Sequence, residues 1–154
     1  MAIPSSFYGT LIEAGTYFSA RLHEYAWSEA STPNREKALR AATTIIDTLN
    51  YKGDKAGGAA QELEFPRGTD TEVPEDIRKA CYEIAHALLD GKDPEMELEM
   101  LGVSSQGVSS VRTTFSRGQA PVEHIVNGVP SATAWRFIRP FLRDDGSVRL
   151  LRVS

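Results

Sequence analysis

Cysteine is almost missing from this chain: Cys81 is the only one in 154 residues. A single thiol cannot build an intramolecular disulfide framework or a cysteine-based metal centre, and it suits synthesis in a reducing compartment. Long apolar runs are missing as well. No stretch approaches the ~18 residues of a membrane-crossing helix, and the start Met1-Ala2-Ile3-Pro4-Ser5-Ser6 has no charged segment followed by an apolar one. A soluble protein without an export signal is expected. A basic excess is also absent: 17 Lys and Arg stand against 21 Asp and Glu, a net charge of −4. General polyanion binders are normally basic, so the balance argues against that class.

Catalytic motifs fail one by one. His23-Glu24-Tyr25-Ala26-Trp27 begins like a zinc-protease helix, but Trp27 stands where the second histidine belongs. His23, His86 and His124 lie in three separate segments and read as satisfied or surface histidines. Gly102-Val103-Ser104-Ser105-Gln106 lacks the second glycine of a nucleophile elbow. Lys52-Gly53-Asp54-Lys55-Ala56-Gly57-Gly58 lacks the Gly-Lys-Ser/Thr end that sets a lysine on phosphate. Glu95, Glu97 and Glu99 could pair as acid and base, but a solvated acidic edge is the plainer reading. Neither an enzyme nor a cofactor or metal is expected.

What is present is ordinary globular composition, with 41% hydrophobic residues and a length suited to one domain. The pattern predicts a mainly α protein: a bundle of three to four helices, a β-hairpin or extended-loop arm, and an extended C-terminal tail. A first helix is expected over residues 10–29, opened by the capping box Thr10-x-x-Glu13, with Leu11, Ala14, Phe18, Leu22 and Tyr25 on one side. A second has Thr32 as its N-cap and Pro33 as its first residue, carries the stripe Ala38, Leu39, Ala42, Ile45, Ile46 and Leu49, and stops near Asn50. A third starts at Pro74 and ends before Gly91. It has Ile77, Ala80, Cys81, Ile84, Ala85 and Leu88 on one face and Tyr82, His86 and Leu89 on another. Such a helix is covered on two sides, by its own chain or by a neighbouring subunit.

Between these helices, residues 51–73 form a long connection with a possible short element at Gln61–Phe65. It reads either as an arm touching a neighbour or as disorder. Glu95 to Met100 alternate acid and apolar, as one helical turn or an edge strand would. Residues 102–117 favour a β-hairpin or loop. Residues 131–142 suit a last helix capped by Ser131 and bent at Pro140.

The domain plan is therefore a helical body over 1–143, with arm loops at about 51–73 and 101–130, and a tail over 144–154. Charge divides earlier, at residue 102. Residues 1–102 hold 10 basic and 18 acidic side chains, whereas residues 103–154 hold seven Arg against three acids. The Arg-only end points to a polar partner surface, or simply to a solvated face.

The order Tyr17-Phe18-x-x-Arg21-Leu22, Trp27, Lys37-Ala38-Leu39-x-x-Ala42-Thr43, Tyr51-x-Gly53, Phe65-Pro66-Arg67 and Val73-Pro74-x-x-Ile77-x-x-Ala80-Cys81 resembles a phage and prophage family. That family is often labelled DnaT-like single-stranded-DNA-binding protein, and its members look like head-to-tail adaptor proteins. The resemblance covers residues 5–90 well and 91–142 loosely, and leaves out the Asp144-Asp145-Gly146 turn and Val148–Val153.

The resemblance implies a virion protein made in the host cytoplasm. Itself would be its first partner, in a ring of twelve below the portal protein, with a tail or neck protein beneath and DNA passing through the lumen. Portal or tail docking is expected of Trp135, Phe137, Ile138, Arg139, Phe141, Leu142, Arg149, Leu150, Leu151 and Arg152. Subunit contacts are expected of Phe65, Arg67, Tyr82, His86 and Leu89. Changing Trp135 and Phe141 to Ala should then spare the fold and abolish docking. The label itself, with Trp135-Arg136-Phe137-Ile138-Arg139, suggests an alternative, a module stacking single-stranded DNA on aromatics.

Overall fold

The computed structural model describes residues 6–107 and 119–143, with side chains over 6–100 and 123–143. The described part is mainly helical, with seven α-helices and no strand. They are α1 (Leu11–Ser19), α2 (Tyr25–Ser28), α3 (Thr32–Asp47), α4 (Glu75–Leu89), α5 (Pro94–Gly107), α6 (Gln119–Val126) and α7 (Ala132–Ile138).

Helix α4 is the hub. Helix α3 packs along one side and α7 along another, while α1 and α2 cover a third. Small residues make this possible: Ala38 and Ala42 on α3 and Ala80 and Ala85 on α4 are buried and let the backbones approach. Larger residues then fill the layer, with Leu39, Ile46, Ile77, Ile84 and Ile138 fully enclosed. Each such side chain contributes about 1.5–3 kcal/mol.

Helix α3 runs antiparallel to α4. Its start lies by Trp27, whose ring stacks on Phe18, and Phe18 in turn lies against His86 near the end of α4.

The long first helix expected over residues 10–29 breaks. Thr10 caps it as expected, accepting from the Glu13 amide at 3.0 Å. It then ends at Ser19, and His23 takes a left-handed backbone with φ 58°. Arg21 holds the break by donating to the Leu22 and His23 carbonyls at 3.0 and 2.8 Å. The turn delivers Trp27 to Phe18 and leaves Leu22 and Tyr25, expected on the core side, 81% and 66% exposed. The second helix begins one residue earlier than Thr32-Pro33 suggested, because the Ser31 hydroxyl caps Asn34.

Residues 94–107, read as a turn or edge followed by a hairpin, are helix α5, and residues 119–126 of the expected loop are helix α6. Residues 108–118, which include the rest of the hairpin expected over 102–117, lie outside the described residues.

Candidate interaction surface

The residues singled out by the sequence separate into three groups. The first surrounds Phe65. Its ring is 3% exposed and meets Tyr8, Tyr51 and Phe141 edge-on, at centroid distances of 6.1, 4.6 and 5.6 Å. The 51–73 connection therefore closes on the body and is not a projecting arm through Phe65. Arg67 locks it by donating to the Lys52 carbonyl at 2.8 Å, to the Gly53 carbonyl and to Glu64 at 2.9 Å. Isolated bridges join Lys55 to Arg67 and Tyr51 to Leu142. Both residues expected to touch a neighbour here have their partners inside one chain.

Beneath this cluster lies a polar joint. Tyr8 donates to Asp47 at 2.5 Å and accepts from the Phe65 amide at 3.2 Å. Burial raises the Asp47 carboxyl to about 6, although the Tyr8 hydrogen bond pulls the other way.

The second group is on α4. Tyr82 is 4% exposed, covered by Tyr17 of α1 at a centroid distance of 5.4 Å, and its hydroxyl reaches Glu13. Leu89 packs on the core and the His86 ring lies against Phe18. On the second face of this helix, Tyr82 and His86 thus meet Tyr17 and Phe18 of the chain's own α1. Between Tyr82 and Leu89 sits Glu83, 3% exposed, clasped by Arg21 at 2.8 and 2.9 Å and by the Tyr17 hydroxyl at 2.5 Å. Nothing in the spacing announces this buried carboxylate, since Arg21 is 62 residues away.

The third group is the C-terminal helix. Trp135 and Ile138 are 6% and 0% exposed, so they belong to the core and offer no docking face. The Ser131 hydroxyl accepts from the Ala134 amide and fixes where α7 begins, and α7 packs along α4. Phe137 lies under Lys79, Phe141 against Phe65, and Leu142 beside Tyr51. Only Arg139 of the six remains exposed, about 4.0 Å from Glu123. Arg149, Leu150, Leu151 and Arg152 lie outside the described residues.

Besides Ile12, Leu22 and Tyr25 near α1, the exposed apolar groups of the described surface gather on α5 and α6. Met96, Leu98 and Met100 are 58%, 45% and 65% exposed. In a helix, alternation places Met96 and Met100 on one side and Leu98 on the opposite side, so one contact cannot cover all three. The reading of Glu95 to Met100 as a possible strand hid this. Among the described residues the principal contact of α5 is with α6, whose Val126 is itself 60% exposed.

Two of the open clefts among the described residues flank α4. One of about 370 Å³ lies between α1 and α4, lined by Ile12, Tyr17, Arg78 and Tyr82 among others. The other, of about 410 Å³, lies between the end of α4 and the start of α7, and includes His86 and Asp90. Neither assembles a recognisable catalytic set. Cys81 is fully buried and its thiol is pushed up to about 12 by burial, which removes it as a nucleophile. No group of three or more His, Cys, Asp or Glu among the described residues is arranged to hold a metal. No described helix is long and apolar enough to cross a membrane.

Residues 6–153 match the family described as "Putative DnaT-like ssDNA binding protein", and the chain belongs to that family. The match takes in the Asp144-Asp145-Gly146 turn and Val148–Val153, which the sequence resemblance had left outside the pattern. No curated protein and no solved structure matches the chain.

Proposed function

We propose that this protein is a non-enzymatic structural subunit of a tailed-phage particle, assembling with its own copies into the ring that joins portal to tail. One observation carries the reading: α5 presents apolar side chains on opposite sides, among acids, with no cover among the described residues. Exposed apolar groups of this kind mark contacts with other protein. The covering copies would make the ring, and genome DNA would pass through its lumen. The test is electron microscopy of the purified protein, alone and mixed with the portal protein of the same phage. Rings seated on the portal are expected; a protein that stays monomeric and ignores the portal overturns the proposal.

The family description favours a second reading, a single-stranded-DNA-binding module. Base stacking needs open aromatic faces, yet Tyr8, Phe18, Trp27, Tyr51, Phe65, Tyr82 and Trp135 are all buried. Tyr25 is the strongly exposed aromatic among the described residues. Oligonucleotide binding at low salt, weakening steeply as salt rises, would favour this module over the ring.

A further inference from the structure

We infer that the segment Val148-Arg149-Leu150-Leu151-Arg152-Val153 of one copy docks on helix α5 of a second copy. The inference rests on the reading that like copies assemble, and adds which parts meet.

The two surfaces are complementary. Asp93, Glu95, Glu97 and Glu99 carry four negative charges, and no Lys or Arg follows until Arg112. The segment 148–153 has two Arg and no acid, with Leu150 and Leu151 between them. Arginine forks suit carboxylates. Methionines adapt to whatever apolar groups lie on them, and Met96 and Met100 are more than half exposed. The family match runs through residue 153, so this segment belongs to the shared pattern.

Reach favours a neighbouring copy as its supplier. Helix α7 begins beside the end of α4, where Pro130 and Ser131 share a cleft with Asp90. It runs back along α4, so that Phe137 lies under Lys79. Arg143 then bonds to Asn50, past the end of α3 and so at the opposite end of α4 from α5. The fifteen residues of α4 span about 21 Å at 1.5 Å per residue. From Arg143 to Leu151 the chain covers at most about 27 Å fully extended. Its own α5 comes within reach only of a tail drawn almost straight, whereas the α5 of a copy seated against the Arg143 end demands no such stretch.

Two differently tagged full-length chains test this, one carrying Met100→Cys and the other Leu151→Cys, mixed and mildly oxidised. A disulfide-linked hetero-pair is expected, and a chain carrying both changes should form intermolecular multimers. Cys81, being buried, stays out of the reaction. Absence of the hetero-pair, or a purely intramolecular link in the double variant, overturns the inference.

In a second measurement, Arg149→Glu with Arg152→Glu should weaken self-association in sedimentation by about tenfold. Adding Glu97→Arg and Glu99→Arg should restore it, and unchanged association also overturns the inference. If the wild-type chain assembles and these tests fail, only the docking is wrong. If the wild-type chain assembles neither alone nor with portal, the ring proposal falls with it.

Discussion

Tyr8 and Asp47 meet across 39 residues of chain through a 2.5 Å hydrogen bond, joining the N-terminal segment to the end of α3. The Tyr8 oxygen also accepts from the Phe65 amide. Replacing Tyr8 by Phe keeps the ring and removes both bonds, leaving a buried amide unpaired. That should cost roughly 1–3 kcal/mol, measured as a lower urea midpoint with the m-value unchanged.

Asp47 should also leave a pH signature. Its carboxyl is raised by burial from 3.8 to about 6 in the folded chain, so the folded state holds this proton more tightly than the unfolded state. The stabilisation is complete below about pH 4 and is lost as pH rises through 6. Asp47→Asn cannot titrate. The stability difference between wild type and Asp47→Asn should therefore shift in favour of the wild type as pH falls from 7 to 4. A difference that stays flat in urea titrations across that range would refute it.

Glu83 depends on Arg21. With Glu83 3% exposed and Arg21 28% exposed, removing the guanidinium leaves a buried charge with only Tyr17 beside it. Arg21→Ala should lose about 3 kcal/mol, the lower end for a broken buried pair. Arg21→Lys should recover little, because a lysine cannot match the two-pronged geometry. Chemical denaturation of the three proteins checks the order.

Trp135→Ala should unfold or strongly destabilise the chain, by roughly 3–5 kcal/mol, because the ring is 6% exposed. The sequence-based expectation was a folded protein that merely fails to dock. Circular dichroism of this variant separates the two.

Gly9 is held at φ 78°, and a Cβ there would run into the Tyr82 ring. Gly9→Ala should therefore be destabilising by roughly 1–3 kcal/mol, visible as a lower melting temperature. Gly53, with similar φ but open space around it, should tolerate alanine better.

The sequence made the central helices legible because periodicity and caps act over a few residues. The stripe on α3 and the two faces of α4 emerged nearly as read, with Pro74 opening and Gly91 closing the latter. What it hid depends on distant partners. The break at His23 is held by Arg21, which is fixed in turn by Glu83 far along the chain. Aromatic richness in residues 135–142 looked like a sticky end, since composition cannot tell whether an apolar group meets its own chain or another. The α5 surface was obscured for the opposite reason: strict alternation is a strand signal, and only helical geometry turns it into apolar groups on two sides.

Cys81 lies sealed between Thr43 and the Leu39 carbonyl, with Thr43 at 3.5 Å. The natural chain is therefore already silent toward maleimides and other thiol dyes while folded. Any single cysteine placed on its surface becomes a unique attachment point without first deleting the native one. Fluorophores on α5 and near residue 143 could thus report, through energy transfer between differently labelled copies, how neighbours come together in real time.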